Sequence, residues 1–171
     1  MKTLFTIGYE GSSAADLFGS LHRSGVELLI DVRDVPISRK RGFSKTSLSE
    51  GLRGEGIGYL HLKGLGDPKP GRIAAREGRF ADFRRIFIAH MKTTTAQKAL
   101  TEAVAAASKS VACLLCFEQD HSNCHRCIVA ESMVRTGKFH LVHLNAAPLI
   151  ARNTSSKSRL ASNDRTLAHL G

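Results

Sequence analysis

The sequence predicts an α/β fold in which a mainly parallel central sheet of about five strands is flanked by helices in three layers. Short apolar runs rich in β-prone residues alternate with segments of helical period along most of the chain. The apolar runs show little polar alternation, which is typical of strands covered by helices on both faces. With 171 residues, of which 42% are hydrophobic, the chain can build one core without a disulfide or a metal.

The first strand–helix–strand unit occupies the N-terminal residues. TLFTIG (3–8) is predicted as a buried strand. Ser12 or Ser13 caps the following helix, which ends near Gly25 because glycine readily takes the conformation of a helix C-terminus. ELLIDV (27–32) is then the second strand.

The middle of the chain contains one more strand and mostly helical segments. A basic loop and a short helix from about Ser47 lead to the third strand, GYLHL (58–62). The segment 63–72 contains two prolines and three glycines, and we expect it to be a loop. Helices are expected over 80–91 and 95–107.

The last elements repeat the alternation. SVACLLCFE (110–118) is predicted as the fourth strand, a helix covers 128–137, and FHLVHL (139–144) is the fifth strand. We therefore expect residues 1–150 to form a single domain with right-handed crossovers between parallel strands. The remainder, 151–171, reads as a basic tail rich in Ser and Asn.

The charge of the chain indicates an anionic partner. The net charge is +10, and residues 38–85 carry 12 Lys and Arg against five Asp and Glu. Such an excess suits a nucleotide, a phosphorylated metabolite or nucleic acid, and a solvated basic surface is the alternative. Aromatic residues make up only 6% of the chain and Trp is missing, so a stacking platform for single-stranded nucleic acid is weakly supported.

The hydropathy pattern gives no reason to expect a membrane partner. No apolar run reaches the roughly 18 residues that a transmembrane helix needs. The opening MKTLFTIGYEG lacks the longer apolar core and small-residue cleavage site of a signal peptide. We therefore expect a cytoplasmic protein with reduced cysteines, and the sequence leaves its oligomeric state open.

Polar residues are concentrated where each predicted strand ends. In parallel sheets, ligands bind outside the carboxyl ends of the strands, so residues there are candidates for a site. They are Tyr9 and Glu10, Asp31 and Arg33, His61, Cys116 and Glu118, and His143.

All four cysteines lie in the stretch CLLCFEQDHSNCHRC, whose C-x2-C-x7-C-x2-C spacing suggests zinc. Cys113 and Cys116, however, are three apart on a predicted strand, so their side chains point to opposite faces. Cys127 falls in the following helix, and we expect Cys113 and Cys127 to be small core residues. A smaller metal site, formed by Cys116, His121, Cys124 and His125, is a weaker alternative, and the sequence predicts no bound metal or other cofactor.

A tuned thiol has a better physical basis. Ser122 or Asn123 is placed to cap a helix whose first turn holds Cys124, His125 and Arg126. The N–H groups there favour anions and lower the pKa of a thiol. Arg126 is then a candidate clamp for phosphate or carboxylate, and Glu118 is a candidate acid or base. A buried Glu118–Arg126 ion pair that merely holds the loop is the alternative.

The motifs TIGYEG, LLIDVRDVPISRKRGFSK, GIGYLHLKGLG, LLCFE and CHRCIVAE resemble, in order and spacing, the prokaryotic family called domain of unknown function 488. The resemblance covers roughly residues 3–145. The family motif L-C-x-E followed by C-H-R maps onto Cys116, Glu118, Cys124, His125 and Arg126, the motif D-V-R onto Asp31, Val32 and Arg33, and the loop after it onto Pro36, Ser38 and Phe43. The resemblance implies a single α/β domain with a polar pocket, but no substrate.

Three functions are consistent with the sequence. The first is an enzyme or ligand-binding protein for an anionic substrate. Its candidate catalytic residues are Cys116, Glu118, Cys124, His125 and Asp31, and its candidate substrate-binding residues are Arg33, Arg126, Tyr9 and Ser38. The second is a non-catalytic nucleic-acid-binding protein that uses the basic 38–85 surface. The third is a sensor that binds a nucleotide-like ligand in the same pocket without turnover.

Overall fold

Residues 1–146 are described by the structure, a computed structural model. The strands are β1 (Lys2–Gly8), β2 (Leu28–Asp31), β3 (Gly58–His61), β4 (Ala112–Cys116) and β5 (Phe139–Asn145). The helices are α1 (Ala14–Arg23), α2 (Lys45–Gly54), α3 (Lys69–Arg76), α4 (Phe80–Met91), α5 (Thr94–Lys109) and α6 (His125–Gly137). Two short 3-10 turns cover Lys63–Leu65 and His121–Asn123.

The five strands form one parallel sheet in the order β3-β2-β4-β1-β5. The predicted α/β fold with a mainly parallel sheet is therefore confirmed. All five residues of β4 are buried at the centre of the sheet, as expected for a strand covered by helices on both faces. No helix among the described residues is long and apolar enough to cross a bilayer.

Helices cover the two faces of the sheet with separate apolar cores. One core joins α1 and α2 to the sheet, and the other joins the longer helices α4, α5 and α6 to the opposite face. Successive residues of β4 alternate between these cores, because side chains on a strand point alternately to opposite faces. Cys113 consequently lies in the first core and Cys116 in the second, so the two thiols cannot share one ion.

The segment 63–72 was expected to be a loop, and this prediction is wrong from Lys69 onward. Helix α3 begins at Lys69, after Pro68 as its N-cap residue and with a proline in its first turn. The first turn of a helix has no N–H bond that proline would remove, so the two prolines promote a helix start here.

Helix α6 begins where the sequence predicts a first turn, but its cap differs. The N-cap residue is Cys124, not Ser122 or Asn123. Those two residues belong to the preceding 3-10 turn, in which the side chain of Asp120 accepts a hydrogen bond from the Ser122 N–H. The predicted tail, 151–171, lies outside the described residues.

Candidate functional site

The carboxyl ends of the central strands border an open cleft of about 770 Å³, a size typical of small-molecule sites. The loops after β1, β2 and β4 form much of its wall, together with α3 and the start of α4. The sequence-predicted residues that line it are Tyr9, Glu10, Arg33, Ser38, Cys116, Glu118, Cys124 and His125. Four other candidates are not part of its lining: Asp31, His61, Arg126 and His143.

Four of the lining residues contact one another, and we call them the floor cluster: Cys116, Glu118, Cys124 and His125. The Sγ atoms of Cys116 and Cys124 lie 3.2 and 3.1 Å from the same oxygen, Oε2 of Glu118. Nδ1 of His125 is 3.6 Å from the Cys116 Sγ. Because Cys116, Cys124 and His125 are each at least 94% buried, these polar groups have few partners other than one another.

The local fold explains why these four side chains meet. Cys116 ends the central strand β4, and Glu118 follows it in the loop. Cys124 and His125 form the N-terminus of α6, which packs on the same face of the sheet as Cys116. Gly8, at the end of β1, allows the loop that carries Glu118 to pass close to β1, because a Cβ at Gly8 would lie only 1.8 Å from the Glu118 carbonyl oxygen.

The imidazole of His125 is oriented by the neighbouring strand. Its Nε2 donates a hydrogen bond of 2.8 Å to the Val32 carbonyl oxygen, just after β2, so in the neutral ring Nδ1 carries the lone pair. Burial alone lowers the pKa of His125. Hydrogen bonding to Cys124 and the charge of Glu118 outweigh burial and raise that pKa to about 9.

Burial raises the pKa of both Cys116 and Cys124 above the usual thiol range. The sequence predicts a lowered thiol pKa at the start of α6, and this prediction is wrong. Desolvation of a fully enclosed thiolate outweighs the favourable field of the helix N-terminus. Burial also acts against the charged form of Glu118, but hydrogen bonds from the two thiols keep its pKa below the usual range. Glu118 is therefore a carboxylate that accepts two S–H groups.

Asp31 and Arg33 form a second polar group, of which Arg33 lines the cleft and Asp31 does not. Nε and Nη2 of Arg33 donate to the two carboxylate oxygens of Asp31 at 2.8 and 2.6 Å. Nη1 donates to the Tyr9 hydroxyl and to the Phe43 carbonyl at 3.0 and 2.8 Å. Tyr59 donates to Asp31 as well, at 2.7 Å. The charge of Arg33 is thus balanced by Asp31, which is itself fully buried.

Arg126 is 99% buried and holds the loop that carries Glu118. Its two terminal nitrogens donate to the backbone carbonyls of Glu118 and Gln119, the second at 3.0 Å. The alternative of a Glu118–Arg126 ion pair does not match this geometry, because the contact is with the carbonyl and not with the carboxylate. Arg126 therefore sets the position of the loop from beneath the cleft.

A family profile described as Domain of unknown function DUF488 matches residues 13–133, more than two thirds of the chain. The chain belongs to this family. The match includes the whole floor cluster and the Asp31–Arg33 pair, and it is narrower than the 3–145 span over which the motifs resemble the family. Comparison with curated proteins and with solved structures gives no match.

This family member has further cleft residues that the sequence did not indicate, because the helix that begins at Lys69 was not predicted. Asp67 is 95% buried, its Oδ1 has no hydrogen-bond partner among the described residues, and burial raises its pKa to about 6. Arg72 donates to the Asp67 carbonyl at 2.6 Å and pairs with Asp34. In the sequence, the only signal for these residues was an Asp directly before the two prolines at which α3 begins. Arg39 and Arg76 also line the cleft.

Two groups of side chains in the described part of the chain bring potential metal ligands within 4.8 Å of one another. The first consists of Cys116, Cys124 and His125. The second, which we call the edge cluster, consists of His121, Cys127 and His143 and lies outside the cleft lining. Cys127 is only partly buried, so its prediction as a core residue is wrong, whereas Cys113 is a core residue as predicted.

Proposed function

We propose that this protein is an enzyme that binds an anionic, phosphate-bearing or nucleotide substrate in the cleft and performs its chemistry at the floor cluster. One observation carries the proposal: two thiols, a carboxylate and an imidazole meet at the floor of an open cleft. Burying polar groups costs free energy, and such clusters with shifted pKa values are concentrated at functional sites.

Arg39 and Arg76 are the best placed residues to bind the anion. Both are exposed and line the cleft, and within residues 1–146 neither makes an ion pair. Arg33 forms an ion pair with Asp31, and Arg126 donates hydrogen bonds to backbone carbonyls. In this proposal Arg33 and Arg126 position the walls, together with Asp31, while Tyr9 and Ser38 line the entrance to the anion site.

The apolar parts of the cleft favour an organic substrate over a bare inorganic ion. Phe80 and Phe117, which are 42% and 45% exposed, both line the cleft. Val35 and Ile37 also line the cleft and are 49% and 77% exposed. Apolar side chains around a few convergent polar groups are typical of ligand sites, and a nucleotide base is one group that would cover them.

The floor cluster supports nucleophilic chemistry assisted by proton transfer. Glu118 accepts the hydrogen bonds of both thiols, and His125 lies beside Cys116. Since burial raises the pKa of Cys116 and Cys124, removal of the thiol proton must precede an attack by sulfur. Glu118 is the group that can accept it, because the pKa of His125, raised to about 9, leaves the imidazole already protonated near neutral pH. Reduced thiols of this kind fit the cytoplasmic compartment expected from the sequence.

Titration of the ¹⁵N-labelled protein with inorganic phosphate and with a nucleoside monophosphate tests the proposal. We expect NMR shifts around the cleft, tighter binding of the nucleotide, and an affinity about five-fold lower in each of Arg39→Gln and Arg76→Gln. Arg53→Gln, which removes a comparable exposed charge outside the cleft, is the matched control. Shifts that avoid the cleft, or equal losses in all three variants, would contradict the site.

Replacing a member of the floor cluster separates an enzyme from a sensor. Glu118→Gln keeps the size of the side chain but removes its negative charge. An enzyme loses turnover of the identified substrate in this variant while keeping nucleotide affinity within a few fold, whereas a sensor has no turnover to lose. Ligand binding without turnover by the unmodified protein would favour the sensor.

Nucleic-acid binding is the second candidate, favoured by the 12 Lys and Arg against five Asp and Glu in residues 38–85. Duplex binding through phosphates predicts an affinity that falls by about 0.9 log unit per contact for each log unit of salt. An affinity for DNA that does not change between low and moderate salt would remove this candidate. Salt-dependent binding that survives Arg39→Gln and Arg76→Gln would separate it from the cleft.

A further inference from the structure

We propose that the floor cluster is a zinc site. Cys116, Cys124 and His125 are its protein ligands, and the Glu118 carboxylate fills the fourth position on the side of the cleft. This inference concerns the same site as the proposed function and deepens it, because in the loaded protein the two thiols are ligands and not nucleophiles. It also departs from the prediction, made from the sequence, that no metal is bound.

The distances between the ligand atoms fit a tetrahedral ion. The three ligand atoms of Cys116, Cys124 and His125 lie within 4.8 Å of one another. With Zn–S near 2.3 Å and Zn–N and Zn–O near 2.0 Å, a tetrahedron places sulfur about 3.5 Å from either lighter atom. The observed Sγ–Nδ1 distance is 3.6 Å, and the two Sγ–Oε2 distances are 3.2 and 3.1 Å. These three distances are within about 0.4 Å of the tetrahedral value. Glu118 is not part of the group whose ligand atoms all lie within 4.8 Å of one another, so its carboxylate must move closer to His125 to complete the tetrahedron.

The second layer of contacts has the form that metal-binding histidines need. Nε2 of His125 donates to the Val32 carbonyl at 2.8 Å, which leaves the lone pair on Nδ1, the nitrogen nearer the Cys116 sulfur. A ligand histidine almost always donates its other N–H to a carbonyl or carboxylate, and this contact fixes the tautomer. Arg126 holds the backbone of Glu118, so the fourth ligand is also positioned by the fold.

The contacts within the cluster show where the cation would lie. Two S–H groups point at one carboxylate oxygen, and a divalent ion would replace their two protons. Binding forms two Zn–S bonds, one Zn–O bond and one Zn–N bond. It releases the two thiol protons and, near neutral pH, the proton that the raised pKa of His125 keeps on its imidazole. Zinc at +2 with two thiolates and one carboxylate leaves a net charge of −1. Thiolate and imidazole ligands select zinc over Mg²⁺ or Ca²⁺, which prefer oxygen.

The cleft gives the site a way to act on a substrate. Glu118 lines the cleft together with both thiols and the imidazole. Three protein ligands with a fourth position open to exchange are typical of catalytic zinc sites, whereas structural sites are closed by four. Displacement of the Glu118 carboxylate by a substrate oxygen or by water would open that position and free the carboxylate to accept a proton.

The test is a titration of the chelator-treated full chain with Co²⁺, a spectroscopic substitute for zinc, under a non-thiol reductant. We expect one equivalent of Co²⁺ to bind. The spectrum should show a thiolate-to-cobalt charge-transfer band and the intense visible bands of tetrahedral Co²⁺, and addition of Zn²⁺ should abolish all of these bands. About three protons should be released per ion near neutral pH, two from the thiols and one from His125, as measured with a pH indicator. Cys124→Ser should weaken binding by about 100-fold or more and Glu118→Gln by about 10-fold.

Two other cysteines provide matched controls. Cys113→Ala alters a thiol on the opposite face of the sheet, and Cys127→Ser alters the edge cluster, so both variants should keep the cobalt spectrum. A spectrum lost in Cys127→Ser but kept in Cys124→Ser would move the ion to the edge cluster and overturn the assignment. Absence of the charge-transfer band in the unmodified protein would overturn it as well, without reliance on the folding of any variant.

The zinc site and the proposed function fail separately. Phosphate or nucleotide binding at the cleft without a cobalt spectrum would overturn the zinc site alone. A cobalt spectrum with no anion binding at the cleft, by either the loaded or the metal-free protein, would overturn the anion-binding function alone.

Discussion

Replacement of Gly8 by alanine tests how closely β1 must approach the loop that carries Glu118. A Cβ at this position would lie 1.8 Å from the Glu118 carbonyl oxygen, whereas ordinary contact begins at 3.4 Å, so that carbonyl must move by about 1.6 Å. Overpacking of this kind costs about 1–3 kcal/mol. The same movement breaks the charged hydrogen bond from Arg126, which contributes about 1.5–3 kcal/mol. We therefore expect Gly8→Ala to lower the free energy of unfolding by about 4 kcal/mol.

Urea denaturation followed by far-ultraviolet circular dichroism measures this loss by linear extrapolation. Gly54→Ala is the matched control, because nothing lies within 4 Å of a Cβ there and the residue ends helix α2. It should be neutral or stabilise the protein by about 0.5 kcal/mol, since alanine favours a helix over glycine. A loss below about 1 kcal/mol for Gly8→Ala, with the Gly54 control behaving as expected, would refute the close approach on which the position of Glu118 depends.

Three further predictions concern the polar groups around the cleft. Asp31→Asn leaves the buried Arg33 without its ion-pair partner, so the free energy of unfolding should fall by about 3–5 kcal/mol, and a loss close to that of a surface substitution would contradict this. Tyr59→Phe removes one hydrogen bond to Asp31 and should cost about 1 kcal/mol in the same urea assay. Burial raises the pKa of Asp67 from 3.8 to about 6, so its contribution to stability is present below pH 3.8 and is lost as the pH rises through 6. Asp67→Asn should therefore be more stable than the unmodified protein above pH 6, by up to about 3 kcal/mol, and the difference should vanish below pH 4. A variant less stable than the unmodified protein at pH 8 would show that the Asp67 carboxylate has a partner.

Local patterns in the sequence were sufficient for the strands and for the separation of the cysteines. The central strand β4 is an unbroken apolar run, and its two-residue side-chain period alone places Cys113 and Cys116 on opposite faces. The start of α6 could also be predicted, because a polar stretch precedes an apolar helical one. The cap at Cys124 could not, since it depends on a turn held by Asp120.

Segment 63–72 shows where local rules lead to the wrong result. Prolines and glycines normally interrupt regular structure, yet here Pro68 and Pro70 lie at the start of α3. Because this helix was missed, neither Arg72, which lies on it, nor Asp67, which lies just before it, was expected at the cleft. The roles of Arg33 and Arg126 could not be predicted from the sequence either. Whether an arginine binds a ligand or another part of the protein depends on neighbours that are distant in sequence.

The sequence by itself determined the α/β architecture, the family and the set of polar residues at the strand ends, because these follow from short-range periodicity and from motif spacing. The tertiary structure decided how those residues are used. Only packing of α6 against β4 places two thiols on one Glu118 oxygen and leaves the lone pair of His125 beside them. Only burial could reverse the expected direction of the thiol pKa, because desolvation depends on the neighbours that fold around a group and not on its place along the chain.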